Sequence, residues 1–203
     1  MRLILASGSP RRRLLLQQMG FSHFTVLSSD VDEHVDGSVP PGELVKLLSA
    51  RKAAAVASGA EPDAVILAAD TVVALDGLIL GKPENRKAAR AMLSALSGRE
   101  HQVYTGFTLR QGGRVLTDCD ETSVTFRALT AEEISAYVAT GEPMDKAGGY
   151  GIQGLGALLV KGIRGDYFNV VGLPVCRLGL ALREFGLEPL TSKEKRSEGL
   201  SAK

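Results

Sequence analysis

Leu3-Ile4-Leu5-Ala6-Ser7-Gly8-Ser9-Pro10-Arg11-Arg12-Arg13 passes from an unbroken apolar run, through a break, into a cationic helix start. Four consecutive apolar residues suit a strand covered on both faces, as in the parallel part of an α/β sheet. Ser9 is placed to cap the following helix, Pro10 suits its first turn, and Leu14, Leu15, Leu16 and Met19 carry it to Gly20. A second continuous run, Ala64 to Ala69, ends at Asp70. Between the two runs lie a short strand, Phe24 to Leu27, and a helix from Pro41 to about Ser58 with Leu44, Leu47, Leu48 and Ala55 on one face. These alternating elements set the class as α/β.

Working outward, Thr71 to Leu75 and Leu78 to Leu80 read as a hairpin about Asp76-Gly77, and a helix from Glu84 to Ser97 is closed by Gly98. His101 to Arg110 and Val115 to Phe126 are longer strands joined by Gln111-Gly112-Gly113. Thr130 with Glu133 three residues on makes a capping box; Ala157 to Val160 reads as a strand and Pro174 to Phe185 as the last helix. The expected architecture is a mixed sheet with flanking helices. It forms one domain over residues 1–189 whose two lobes meet near residue 100, and 190–203 form a disordered tail.

Composition narrows the function classes. A net charge of +1 gives no global field for a nucleic-acid polymer or a membrane surface, so any electrostatic function must come from local clustering. Cys119 and Cys176 have no metal-ligand spacing and read as reduced packing residues. His23, His34 and His101 are scattered, against a three-histidine zinc site. No apolar run reaches the roughly 20 residues that span a bilayer, and no signal peptide is apparent, so a cytoplasmic protein is expected.

Four segments carry chemistry. Three arginines in a first helical turn oppose the positive end of the helix dipole, each at a cost of a few tenths of a kcal/mol up to about 1. A polyanion there reverses the sign, because free backbone N–H groups, dipole and guanidinium forks then act together; the bland alternative is that the arginines fan into solvent. Asp70, at the carboxyl end of a buried strand, stands where α/β sheets bind ligands and suits holding Mg²⁺ or activating water; alone, an Asp there is more commonly a turn or cap residue. Lys82 in Gly81-Lys82-Pro83 offers a point charge for phosphate, though one lysine is ordinarily just solvated. Asp32-Glu33, Lys52 and the Asp145-Lys146 pair are individually uninformative. Gly149-Tyr150-Gly151-Ile152-Gln153-Gly154 matches G-x-G-x-x-G, but no strand precedes it, no helix follows, and position 174 is a proline rather than an acid. It reads instead as a tight loop presenting Gln153 to a ligand.

As a set, Ala6-Ser7-Gly8-Ser9-Pro10-Arg11-Arg12, Ala69-Asp70-Thr71, Gly81-Lys82-Pro83 and Gly148 to Gly154 resemble the Maf family of nucleotide pyrophosphatases, from about Met1 to Glu188. The resemblance implies a two-lobed, inosine triphosphatase-like fold and hydrolysis between the α and β phosphates with a divalent metal, Mg²⁺ or Mn²⁺. It implies Asp70 as proton acceptor, and Ser7, Arg12, Glu33, Lys52 and Lys82 at phosphate and metal positions, with Glu33 and Asp70 the metal candidates. Arg11, Thr71 and Gln153 match positions where branches of the family differ by substrate, and Arg11 with Gln153 looks like the dTTP/UTP branch. A glutamine amide offers donor and acceptor to the C4 carbonyl and N3–H of thymine or uracil, which a glutamate does not. Arg13 departs from the usual pair of arginines. A homodimer and a link to cell-division arrest are further implications. The competing reading is a non-catalytic nucleotide-binding regulator of septum formation. Sequence leaves open whether Asp70 activates water itself or holds the metal that does.

Overall fold

The computed structural model describes residues 2–28, 31–32, 34–35, 39–188 and 190. Glu33, read as a metal-site carboxylate, lies outside the described residues, as does the expected tail beyond Leu190. The sheet is built from β1 (Leu3–Ala6), β2 (Thr25–Val26), β3 (Val65–Leu75), β4 (Leu78–Leu80), β5 (Glu100–Gln111), β6 (Arg114–Phe126) and β7 (Val160–Arg164). The helices are α1 (Pro10–Gln18), α2 (Pro41–Ala57), α3 (Arg86–Leu96), α4 (Ala131–Ala139), α5 (Tyr167–Val171) and α6 (Val175–Glu184). Strand order is β2-β1-β3-β5-β6-β7, with β4 added beside β3. β1 is parallel to β2 and β3, and every other pairing is antiparallel.

β3 decides the layout. The sequence ends this strand at Asp70, but the chain stays extended through Leu75, with Asp70 opposite Gly106 and Thr71 opposite Thr105 on β5. Both polar side chains find partners, so neither breaks the ladder. The other side of β3 is interrupted. β1 pairs only as far as Ala68, and β4 begins opposite Val73. Among the described residues no strand therefore pairs with Ala69 to Val72 on that side. Ser7, leaving β1, and Gly81, leaving β4, flank the gap.

The alternation of a strand sends successive side chains to opposite faces. Leu3, Leu5, Val65, Leu67 and Ala69 pack with Leu15, Leu16, Leu178 and Leu182 of α1 and α6. Ile4, Ala6, Ile66 and Ala68 pack with Ala53 and Val56 of α2. A further cluster joins Val73, Leu75, Val103 and Phe126 to α3 and α4 through Leu93, Leu96 and Val138. β3 and β5 contribute to the first and third of these clusters at their two ends, so both strands run through both clusters. On a sheet, neighbours in space come from distant positions in the chain.

Other local expectations are met or displaced. The Thr130–Glu133 capping box forms, and Arg127 clamps the Glu133 carboxylate at 2.7 and 3.0 Å. The Arg127 hydrogen bonds, with the Thr130 N–H, hold that carboxyl down to about 2. Ser9 occupies the N-cap of α1, but its side chain makes no capping bond; its N–H donates to Ser7 Oγ at 3.2 Å instead. The buried face of α2 is Val45, Leu48, Ser49, Ala53 and Val56, whereas Leu47 and Ala55 are exposed. Close packing on the sheet favours small residues, so apolar size misplaces this face. A 3₁₀ turn at Leu155–Leu159 stands where a strand is expected, and β7 starts at Val160. α5, capped by Asp166, is not anticipated. Cys119 is half-buried and Cys176 exposed, so only the first fits a packing role.

Candidate functional site

The gap in the β3 edge opens into a cleft of about 900 Å³, within the ordinary size range of ligand sites. Ser7, Arg11, Arg12, Lys52, Asp70, Thr71, Lys82 and Gln153 all line it. Each site residue expected from the sequence that lies among the described residues is thus brought to one place.

Asp70 and Thr71 leave β3 on opposite faces. Asp70 turns to α2, where Lys52 Nζ donates to its Oδ1 as a largely buried ion pair, each side chain 12% exposed. Taking two such charges out of water costs several kcal/mol per ion, which mutual attraction offsets only in good geometry. The register opposite Asp70 explains how α2 comes so near. A Cβ on Gly106 would lie 2.5 Å from the Val45 carbonyl carbon and oxygen, so only glycine admits the helix backbone. Lys52 lies seven residues along the same helix from Val45, on the side facing the sheet.

Thr71 turns to α1. Its hydroxyl accepts from Arg12 Nη2 at 2.9 Å and bonds Thr105 Oγ1 at 2.9 Å, and the Thr105 hydroxyl donates to the Asn169 carbonyl at 2.8 Å. Arg12 also donates from Nε to the Gly172 carbonyl at 2.9 Å and from Nη1 to Ser7 Oγ at 3.2 Å. The guanidinium is held as a fork joining α1, β3 and the end of α5. Arg11 reaches the other wall, with Nη1 3.5 Å from Asp145 Oδ2, and Arg13 is exposed. Both arginines nearest the cleft therefore have protein partners already, which relieves the dipole mismatch at the start of α1. Lys82 is exposed at the rim.

The glycine-rich loop forms the remaining wall. 3₁₀ turns precede and follow it, which bears out the rejection of a dinucleotide-binding fingerprint. The Gly148 N–H donates to the Gly81 carbonyl at 3.1 Å, stitching this loop to the one that carries Lys82. Gly148 has φ +69° and packs on Val73, where a Cβ would lie at 3.0 Å. Glu142, Asp145 and Lys146 also line the cleft, and the first is missed by sequence reasoning. Lys146 Nζ donates to Asp145 Oδ1 at 2.5 Å and to the Glu142 carbonyl at 2.8 Å. Burial tends to raise the Asp145 carboxyl, but the Lys146 hydrogen bond and charge, with Arg11, leave it lowered. The Asp145-Lys146 dipeptide was a visible signal without a sequence partner to interpret it.

Among the described residues there is no cluster of three or more histidine, cysteine or acidic side chains that could cage a metal. The carboxylates lining the cleft are Asp70, Glu142 and Asp145. Of these Asp70, a single carboxylate at the β3 edge, fits Mg²⁺, which commonly takes one or two carboxylates together with phosphate oxygens and water.

Residues 2–185 match the family model described as Maf-like protein. A dTTP/UTP pyrophosphatase from Moorella thermoacetica is 53% identical over 189 residues, covering 92% of this chain and 96% of that one. A dTTP/UTP pyrophosphatase from Symbiobacterium thermophilum is 53% identical over 184 residues, covering 91% and 94%. The solved structure of a HAM1 protein from Coxiella burnetii shares the fold, with a TM-score of 0.50 at 16% identity over 91% of this chain and 99% of that one. Among the described residues no helix is long and apolar enough to cross a membrane.

Proposed function

The chain belongs to the Maf-like protein family, and from that premise we propose that it hydrolyses dTTP and UTP to the nucleoside monophosphate and pyrophosphate. The observation that carries this reading is the meeting of the Lys52–Asp70 pair with the Arg11 and Arg12 guanidiniums at one break in the β3 edge. Arg11, Arg12 and Lys82 gather the triphosphate, whose charge replaces the contact between Arg11 and Asp145. Lys52 holds Asp70 toward the α phosphorus. Water attacks there and yields its proton to Asp70 while the bond from that phosphorus to the bridging oxygen breaks. Pyrophosphate leaves with the bridging oxygen. Positioning and charge neutralisation supply most of such a rate enhancement. Asp70, with Glu33 as the resemblance implies, would hold a divalent cation, which would supply neutralisation of phosphate charge. Gln153 reads the pyrimidine edge from the glycine-rich loop. A cytoplasmic homodimer belongs to the same reading.

Incubating the pure protein with a panel of nucleoside triphosphates and Mn²⁺ or Mg²⁺, then separating the products, tests it. Pyrophosphate and monophosphate, formed fastest from dTTP and UTP, are expected. Orthophosphate release overturns the bond assignment, and binding without turnover favours a regulator.

A further inference from the structure

Gln153 is exposed on a loop rich in glycine, so something outside the loop has to fix where its amide points. Two side chains supply the fixed points. Glu142 accepts at Oε2 from the Leu155 N–H at 2.9 Å and at Oε1 from the Gly156 N–H at 3.0 Å. The Tyr137 hydroxyl donates to Glu142 Oε1 at 2.8 Å and accepts from the Gly151 N–H at 3.2 Å. These bonds bracket Gln153 on both sides, at residues 151 and 155–156. Burial tends to raise the Glu142 carboxyl. Donation from Gly156, Tyr137 and Leu155, with the Lys146 charge, more than offsets it and leaves the group lowered, an ionised acceptor with no proton to offer. Burial raises the Tyr137 phenol, which stays a neutral donor. The loop is also shaped to this carboxylate. A Cβ on Gly154 would meet Glu142 Oε2 at 2.5 Å, and one on Gly156 would meet the Tyr137 hydroxyl at 2.7 Å.

We propose that Glu142, braced by Tyr137, is a positioning residue that sets base discrimination by fixing the loop bearing Gln153, without itself contacting the nucleotide. The proposal rests on the reading of Gln153 as the base reader. Glu142→Gln keeps the acceptor for Tyr137 but turns an amide NH₂, a donor, toward the Leu155 N–H. Tyr137→Phe removes the bond to Gly151 and the donor to Glu142. Gly154→Ala, with φ −108° and so no left-handed strain, pushes the carboxylate aside while leaving Glu142 in place. All three should loosen the same loop.

The test compares two ligands by calorimetry in the full-length wild type and these variants. One is a UTP analogue with a methylene in place of the α,β-bridging oxygen; the other is inorganic tripolyphosphate, which has no base. Each variant should weaken the analogue about 10-fold or more, as loss of one or two hydrogen bonds allows, and tripolyphosphate by less than about 2-fold. With UTP as substrate, KM should rise and kcat stay within about 3-fold, the signature of lost binding shared by ground and transition states. Gly154→Ala should add nothing in a Glu142→Ala background, because the truncated side chain vacates the space. Equal weakening of both ligands, no weakening of either, or a fall confined to kcat overturns the proposal. A wild type that binds neither ligand overturns the functional reading beneath it.

Discussion

Arg12 Nη2 donates to Thr71 Oγ1 over 2.9 Å, fastening the first helix to the strand that carries Asp70. The same hydroxyl bonds Thr105, so Thr71 serves as a post rather than as a surface threonine. Thr71→Val keeps the shape and removes the acceptor. A hydrogen bond to a charged group contributes about 1.5–3 kcal/mol, so kcat/KM for the preferred triphosphate should fall about 10-fold or more. Thr71→Ser should restore most of it. Steady-state kinetics on the three proteins check this, and a valine variant as active as wild type would remove Thr71 from the positioning of Arg12.

Asp70→Asn retains an oxygen to accept from Lys52 and loses the capacity to take a proton. Turnover should drop by about 100-fold or more, the scale of a lost general base, while the far-ultraviolet spectrum and a single cooperative melt persist. Near-wild-type kcat in a folded variant counts against direct proton transfer to Asp70.

Gly106→Ala places a methyl against the Val45 backbone. Overpacking of this kind costs about 1–3 kcal/mol, and here it also drives α2, with Lys52, off the sheet. Both the urea midpoint and kcat should fall together. Gly113→Ala, with open space at its Cβ, is the matched control and should move neither. Were the two substitutions equivalent, the close helix approach would not be what seats Lys52.

His101 is wholly buried, edge-on to Phe126 and Tyr150, with Nε2 bonded to the Tyr150 hydroxyl at 2.8 Å and, among the described residues, no partner at Nδ1. Burial pushes its imidazole from 6.5 down to about 4. The native state therefore refuses a proton that the unfolded chain accepts. Above pH 6.5 this has no effect; as pH falls from 6.5 toward 4 it removes stability, up to about 3 kcal/mol. Urea melts near neutral pH and near pH 4.5 should show a smaller acid loss for His101→Gln than for wild type. Equal losses in both would assign the acid sensitivity to other groups.

Much of the cleft lining could be read before any coordinates, because residue types suited to phosphate chemistry recur along the sequence. Arg11 and Arg12, at a cationic helix start, and Gln153, in a glycine-rich loop, stand in segments whose local pattern is unusual for plain structure, whereas Asp70 and Lys82 gain meaning only as members of the set. Their partners were not legible. Lys52 is one lysine among the charged residues of a helix, and its tie to Asp70 follows from a helix approach that Gly106 permits. The Gly172 carbonyl that receives Arg12 belongs to the backbone and has no letter of its own. Glu142 gains meaning only when the loop thirteen residues later folds onto it. Strand ends were equally hidden at β3, because Asp70 looks like a terminus until Thr105 and Gly106 supply the opposite strand.

β3 and β5 run unbroken beneath both halves of the molecule. Parting those halves would require bending this hydrogen-bonded ladder, which opposes a hinge there. Side-chain rotamers and rim loops therefore offer the less costly adjustment to an incoming ligand.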